Sequence, residues 1–404
     1  MRIWILKDSE QLPLTPDTKP MRVGMLSEQL QQRGHAVHWW CSTIHHMKKT
    51  LYATQDTDQT LSSGVQLHML HAGLYTRNLS LARIRHHRQL AKRWRAIAEQ
   101  SAEAPQLILV AYPLIEWVRE ALRYARPRGI PVIVDVRDQW PDSFANYAPA
   151  PLKPFVRLAT WLLYPYARRS LRAATRLTSM SGPLLQWALT KSGRMDGAAC
   201  PIFYLGTPLS EPPITPAVAQ PGEVIRVCFL GTLGHTADAL TIAKAATILA
   251  QQGAPIHITL AGNGDVAPAL RDYLDGRDLF SLPGWLDQEA GRQLLASSHI
   301  ALLTGDAEAM PNRFFDYVAA GLPIVCSLRG EVRAYIEQHQ LGRTCPAGDA
   351  AALAQAIRDV ADALPTYRAA VTTVPPVHYS KQAIYTAFAE FLENEYAAAT
   401  ARNA

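Results

Sequence analysis

One stretch of this chain concentrates residues able to hold a phosphorylated ligand: Glu308-Ala-Met-Pro311-Asn312-Arg313-Phe-Phe-Asp316, closed by Gly321-Leu-Pro323. Proline suits the first position of a helix, where its missing N–H costs nothing. Asn312 and Arg313 then fall at the positive helix end, which attracts phosphate. Asp316 lies one turn further in, placed for a ribose diol. Phosphate on a helix N-terminus and ribose on a carboxylate one turn later together describe a nucleoside-diphosphate site. An ordinary capped helix with Asp316 as an early acid would carry the same letters.

Two glycine turns precede this stretch. Gly231-Thr232-Leu233-Gly234 follows an apolar run, and Gly262-Asn263-Gly264-Asp-Val-Ala267 follows another. Glycines let backbone approach a phosphate closely, and a simple turn uses them equally well. The second turn fits G-x-G-x-x-A, the dinucleotide fingerprint. The acid expected about twenty residues on, at the ribose, would be Asp287, after the next strand. That weak fit favours a nucleotide-facing loop over an NAD site.

In the first half, Asp138 follows an apolar run and is a candidate to position or deprotonate an acceptor hydroxyl. Capping of the segment before Trp140-Pro141 is the other reading. His46, Lys48 and Lys49 could meet an acceptor's phosphates or be plain surface residues. Asp56-Thr57-Asp58 spells D-x-D, a known metal-binding signature. It sits in a polar stretch, 55–63, and reads as solvated loop. No His/Cys/carboxylate cluster suggests a metal, and none is expected.

The elements that must position these residues alternate. Strand patterns at Ile3–Leu6, Ala36–Trp40, Val65–Leu70, Leu107–Ala111 and Pro131–Val136 are separated by helical patterns at 21–34, 79–100 and 114–125. Pro208, Pro212, Pro213, Pro216 and Pro221 then form a passage without periodicity, read as a linker over 208–222. The alternation restarts with strands at Val224–Leu230, Ile256–Ala261, Ile300–Leu303 and Ile324–Cys326. Helices are expected at 239–251, 266–274, 314–320 and 350–363, with an amphipathic one from 379 to 396. Short apolar strands between helices predict parallel sheets covered on both faces. The chain therefore reads as α/β, with two Rossmann-like doubly wound domains at 1–207 and 223–375 and a terminal segment at 376–404.

At 404 residues and 48% apolar, the chain can bury two cores. Its five cysteines are odd in number and unpaired in spacing, which suits reduced thiols. The N-terminal apolar run is too short for a signal peptide, and no run reaches the ~20 residues of a spanning helix. Charge is uneven. Residues 1–200 hold 27 Lys/Arg against 14 Asp/Glu, and the remainder holds 13 against 20. The basic half should meet an anion: phospholipid, a lipid-linked diphosphate or nucleic acid. The arginine-rich 81–100 and Phe155–Arg172, with Trp161, Tyr164 and Tyr166, could lie on anionic lipid. Packing of their apolar stripes on a sheet is the plainer account. No nucleic-acid motif appears, and the aromatics are not interleaved for base stacking.

These segments resemble the family-4 retaining glycosyltransferases of the GT-B fold. Glu308 and Asp316 form an E-x7-D variant of the family's E-x7-E region. Phe-Leu-Gly231, Leu-Ala-Gly262 and Leu-Pro-Gly284-Trp285 precede it in family order. The resemblance implies that Glu308 faces the donor sugar, Asp316 holds the ribose, and Gly284 and Trp285 lie beside the base. Gly231, Thr232, Gly262, Asn263, Gly264, Pro311 and Asn312 complete the implied donor site. The first half is similar to the bacterial branch that builds O-antigen and capsule, through 21–26, 33–40, 42–46 and Val134-Asp-Val-Arg137-Asp138-Gln-Trp140-Pro-Asp142. The resemblance implies two domains facing a cleft, a C-terminal helix crossing back to the first domain, and no cofactor. It implies a nucleotide-sugar donor, expected to be UDP-linked, and a polyprenyl-diphosphate-linked or saccharide acceptor. The expected location is the cytoplasm, peripheral on the inner face of the plasma membrane.

Two departures qualify the resemblance. Thr232 and the stretch around His235 stand where relatives carry the Arg and Lys that hold the leaving diphosphate. The first loop, Asp17-Thr-Lys19-Pro-Met-Arg22, lacks the usual glycine pair. Arg313 and Arg22 are the expected replacements, with Arg22 and His46 on the acceptor side. Two rivals stand beside this reading: a nucleotide-sugar epimerase on the same fold, and a catalytically silent nucleotide-binding subunit.

Overall fold

The computed structural model describes residues 1–404 except 16, 17, 19, 47, 77–79, 148–149, 207–216, 221, 235–236, 306–307, 309 and 404. Side chains at 81, 146, 147, 150, 375–378 and 403 are also outside the description. Asp17, Lys19, Leu79, the linker prolines and His235 thus lie outside the described residues. The chain divides into two compact units, Met1–Tyr204 with Ala383–Ala404, and Leu205–Gln382.

The first unit runs β1 (Arg2–Leu6), α1 (Arg22–Gln32), β2 (Ala36–Ser42), β3 (Ile44–His45), β4 (Thr50–Leu51), β5 (Thr57–Thr60), β6 (Gln66–Leu70), α2 (Leu81–Gln100), β7 (Leu107–Tyr112), α3 (Ile115–Ala125) and β8 (Val132–Val136). Then come α4 (Lys153–Trp161), α5 (Tyr164–Ala173), β9 (Arg176–Ser179) and α6 (Gly182–Ser192). The sheet order is β5-β6-β2-β1-β7-β8-β9. All neighbours pair in parallel except β5, which lies antiparallel on β6. Apart from β5, this is a doubly wound order whose direction reverses between β1 and β7. Ligands of such sheets bind outside the strands' carboxyl ends at that point.

The strand β5 corrects one expectation. Thr57 and Asp58 are not loop but open an edge strand, with Asp56 just before it. With most of its residues exposed it shows no apolar alternation, the signal on which the loop reading relied. Its acids are committed to the fold: Asp58 pairs with His68 at 2.7 Å, and Asp56 with Arg93 at 2.5 Å.

The helix α2 resolves a second point. Leu90, Ala91, Trp94 and Ala98 pack into the core against Trp4, Trp40 and Tyr124, so its apolar stripe faces the sheet. Ser80 caps it, accepting from the Arg83 N–H at 3.2 Å.

The second unit runs β10 (Ile225–Leu230), α7 (Ala239–Gln251), β11 (Ile256–Ala261), α8 (Ala267–Leu274), β12 (Ser281–Gly284), α9 (Gln288–Ser297), β13 (Ile300–Leu303), α10 (Asn312–Ala319) and β14 (Ile324–Cys326). It continues with α11 (Gly330–Gln338), β15 (Gly342–Thr344), α12 (Ala350–Asp362) and α13 (Leu364–His378). The order is β12-β11-β10-β13-β14-β15, parallel throughout, and the direction reverses between β10 and β13. Both units are therefore doubly wound α/β, as the strand–helix alternation predicts. Residue 217 packs within this unit: its N–H donates to Ala296, and its carbonyl accepts from Arg368.

The last helix, α14 (Lys381–Asn403), buries Tyr385, Phe388, Ala389 and Leu392 at helical spacing. Phe388 stacks on Phe203 at 4.2 Å, and Glu393 pairs with Arg33 at 2.7 Å, all within the first unit.

Candidate functional site

In the second unit the reversal point lies at the ends of β10 and β13. The β10 end, Gly231–Gly234, and the β11 end, Gly262–Gly264, bond to each other through backbone. Gly231 N–H donates to Ala261, Leu233 N–H to Asn263, and Val266 N–H to Leu233, all at 2.9–3.0 Å. A side chain at Gly262, whose φ is +143°, would collide with the Gly231 carbonyl, and one at Gly264 with the Leu233 carbonyl. These glycines allow the two loops to pack directly on one another. Thr232 and Asn263 are exposed on this ledge.

Gly262 N–H also donates to Gly284 at 2.7 Å, which brings the end of β12 alongside. Trp285, the next residue, is 71% exposed, an unusual place for so large an apolar surface. Asp287 accepts from the Ala290 N–H at 2.8 Å and caps α9.

Arg313 stands at the reversal point. Its guanidinium lies 4.7 Å over the Phe229 ring and donates to the Thr304 carbonyl at 3.1 Å. A β-carbon at Gly231 would lie 3.1 Å from its Nη1, so only glycine admits it comfortably. Its buried Nε has no partner, and no carboxylate pairs with it among the described residues. Burial lowers its pKa. A half-buried cation without an acid partner fits a site that receives an anion.

The helix carrying Arg313 begins two residues before the expected 314, and Pro311 precedes it instead of opening it. Pro311 is its N-cap, in extended conformation, and Asn312 is the first helical residue. Asn312 is exposed and Asp316 half-buried. Tyr317 locks the helix in place, its hydroxyl accepting from the Leu230 N–H at 2.9 Å. Glu308 has an exposed side chain, while its carbonyl accepts from Glu331 N–H at 3.2 Å. Gly330 permits that approach, since a side chain there would meet the Glu308 carbonyl at 2.6 Å. The structure thus gathers Gly231, Gly262, Asn263, Gly264, Gly284 and Arg313 on one ledge, and seats Glu308 against α11.

In the first unit the reversal point, at the ends of β1 and β7, holds a polar cluster that sequence reading missed. Asp8 is buried and accepts from Ser42 N–H and Ser9 Oγ, each at 3.0 Å. Burial opposes its charge, but His86 and Ser42 hold its pKa below the usual range. His86 donates from Nδ1 to the Gly73 carbonyl at 2.9 Å. Burial lowers His87 to about 3. Arg83 lies over Tyr75 at 5.6 Å and over Trp140 at 5.1 Å. The signal available in the sequence was the His86-His87 pair on the inward face of α2.

His46 joins this cluster through the Tyr75 hydroxyl at 2.7 Å. Burial lowers its pKa to about 4, with Lys49 adding to the shift, so at neutral pH it offers a hydrogen bond and not a cation. Asp138 follows β8, half-buried, and accepts from Gln139 N–H at 2.7 Å.

Arg22 is corrected. Its guanidinium is buried and bonds Asp135 through Nε and Nη2, each at 2.9 Å. Burial raises the Asp135 pKa, but Arg22 and Arg137 more than reverse this. Arg137 bridges onward to Glu10 at 2.9 Å, and Glu10 caps α1 by accepting from Val23 N–H at 2.7 Å. Arg22 therefore ties α1 to β8 and has no charge to offer a ligand.

Comparison with known proteins fits this geometry. Residues 21–200 match the family model described as a glycosyl transferase 4-like domain, and residues 225–363 match glycosyl transferases group 1. The chain is 32% identical over 163 residues to the amylovoran biosynthesis glycosyltransferase AmsK of Erwinia amylovora, covering 37% of this chain and 40% of that one. It is 26% identical over 180 residues to the putative colanic acid biosynthesis glycosyltransferase WcaL of Escherichia coli (strain K12), covering 41% and 44%. The chain thus spans less than half the length of the curated relatives it matches. Among solved structures, Anabaena Alr3699/HepE in complex with UDP and glucose superposes with TM-score 0.66 at 13% identity, over 98% of this chain and 100% of that one. Sucrose-phosphate synthase from Thermosynechococcus elongatus gives 0.70 at 14%, over 98% and 99%. The fold is GT-B, two Rossmann-like domains in series.

Among the described residues, no group of three or more His, Cys, Asp or Glu side chains could hold a metal ion. No helix among them is long and apolar enough to cross a membrane.

Proposed function

We propose that this chain, a glycosyl transferase 4-like domain followed by a glycosyl transferases group 1 domain, is an enzyme moving a sugar from a nucleoside-diphosphate donor, UDP-linked, to a lipid-linked or saccharide acceptor. The amylovoran and colanic acid biosynthesis relatives support a place in cell-surface polysaccharide assembly. The UDP bound by Anabaena Alr3699/HepE supports the choice of donor base. The enzyme works peripherally on the inner face of the plasma membrane.

The observation that carries this reading is Arg313, a half-buried arginine with a buried Nε and no acid partner among the described residues, at the strand-order reversal of the second unit. In the transfer, the bond between the sugar's anomeric carbon and the diphosphate oxygen breaks. A bond to the acceptor oxygen forms, and the leaving diphosphate gains negative charge. Arg313 stabilises that charge together with the free N–H groups at the start of α10. Exposed Trp285 gives the base a stacking surface. Asp316 takes the ribose and Glu308 the sugar, with retention at the anomeric carbon. Asp138 receives the acceptor's proton or orients its hydroxyl.

Arg313→Ala tests this. The expected loss is about 3 kcal/mol of transition-state stabilisation, roughly a hundredfold in kcat/KM, with melting little changed. Thermal stabilisation by UDP should fall in parallel. It should reach ~2.7 kcal/mol for the parent at ~100 times the dissociation constant. Turnover unchanged in the variant, or a parent stabilised by no nucleotide, sinks the reading.

A further inference from the structure

The helix α4 has no buried residue, although it carries Phe155, Leu158 and Trp161. A helix on a globular surface ordinarily buries one apolar stripe. Here Leu152, Phe155, Leu158, Trp161 and Leu162 are all more than half exposed, and Phe155, Leu158 and Leu162 share a face at helical spacing. Tyr166, on α5, extends the patch.

The charge around this patch has one sign. No Asp or Glu lies between Asp142 and Asp196 in the sequence. Among the described residues, Lys153, Arg157, Arg168, Arg169 and Arg172 take part in no ion pair. Beneath the patch runs a groove of about 550 Å³, lined by Trp161, Tyr164, Arg168, Arg172, Trp187 and Lys191. The acid at its edge is Asp142, whose carboxylate is held by Lys191 at 2.9 Å and by the Trp187 indole at 2.6 Å. Arg168, Arg169 and Arg172 thus face a concave, aromatic-walled space and pair with no carboxylate among the described residues.

We propose that the α4–α5 face docks on an anionic phospholipid bilayer. Phe155, Leu158 and Trp161 enter the headgroup boundary, and the groove takes a lipid phosphate between Arg168, Arg172 and Lys191. Tryptophan and tyrosine favour that boundary, and each nearby cation adds attraction to an anionic surface. A second copy of the chain is the poorer occupant, since a two-fold contact would set the same five unpaired cations against one another. The inference rests on the peripheral placement proposed above and not on catalysis. Vesicle binding is scored without turnover, so its failure leaves the transferase reading standing.

Co-sedimentation of the full chain with phosphatidylcholine vesicles, with and without 30% phosphatidylglycerol (about that share is enough to make the surface anionic), tests the docking. Binding is expected to the anionic vesicles alone and to fall with salt. Leu158→Ser with Trp161→Ser should weaken it at least about tenfold. Arg168→Gln with Arg172→Gln should weaken it about fivefold per arginine. All of these side chains are exposed, so the melting temperature should hold and exclude misfolding. Lipids brominated on their chains should quench tryptophan fluorescence in the parent and less in Trp161→Phe. Equal binding to neutral vesicles, variants that bind like the parent, or a dimer dissolved by the Trp161 substitution would each overturn the proposal.

Discussion

Arg22 is a buried arginine and Arg313 a half-buried one, and their partners separate their roles. Arg22 faces a fully buried carboxylate on two nitrogens. Removing it strands Asp135 as an uncompensated charge, so Arg22→Ala should cost about 3–5 kcal/mol of stability, read by urea unfolding. Arg313→Ala strands no acid and should cost activity instead. The sequence marks both residues as cations near predicted turns and cannot tell them apart. Asp135 stands 113 residues from Arg22, and only the sheet brings them together. The histidines carry a second test at this scale. His87 has a folded pKa of about 3 against 6.5 for the free side chain, because burial penalises its charged form, so its neutral state stabilises the fold. That contribution is complete above pH ~6.5 and drains as pH falls, by at most ~1.4 kcal/mol per unit. Asp8 and Asp135, also held low, begin to contribute losses only nearer pH 4. The first unit should therefore lose melting temperature between pH 6.5 and 4, and His87→Asn should make that slope shallower without abolishing it, since burial also lowers His38 and His46 to about 4. A variant slope equal to the parent's would show that His87 is not buried as described.

The glycine loops show what one element asks of another. Gly262 is held at φ +143° with the Gly231 carbonyl where a side chain would stand. Gly262→Ala must push the β10 and β11 ends apart. It should destabilise the second unit by about 2–4 kcal/mol, combining overpacking with backbone strain. Because Arg313 rests on the same loop, nucleotide binding should weaken with it, measurable by titration calorimetry on the folded variant. Central elements were the legible ones. The strands at Ile256–Ala261, Ile300–Leu303 and Ile324–Cys326 match the residues at which the apolar runs begin and end. Buried parallel strands have no wet face, so composition alone outlines them. The edge strand β5 was illegible for the opposite reason, being polar on both faces. The polar cluster around Asp8 and His87 was legible only in the adjacent His86 and His87 of α2, because its other members follow β1 and end β2, far away in sequence.

At the scale of the molecule, the chain leaves its first unit near Tyr204 and returns to it at Ala383, so that unit is assembled from two distant pieces. The returning helix is no loose tail. Phe388 stacks on Phe203 at 4.2 Å, Arg22 lies 5.1 Å over the Phe388 ring, and Glu393 bonds both Arg33 and His35. Glu393 is held at about 2 by these bonds, Arg33 foremost, so the contact persists across the neutral range. Removing 383–404 would expose Phe203 and one face of the Arg22–Asp135 pair, while leaving the core of the second unit intact. Burial of Tyr385, Phe388 and Leu392 alone accounts for about 5 kcal/mol or more. A chain ending at Gln382 should therefore unfold in two steps on calorimetry. The second unit would melt near its parent temperature, and the first well below it. Its UDP-dependent stabilisation should survive in the upper transition, since every residue assigned to the donor lies in 205–382. A single transition at the parent temperature would mean that the helix contributes nothing to the first unit. Loss of both transitions together would mean that the two units do not fold independently.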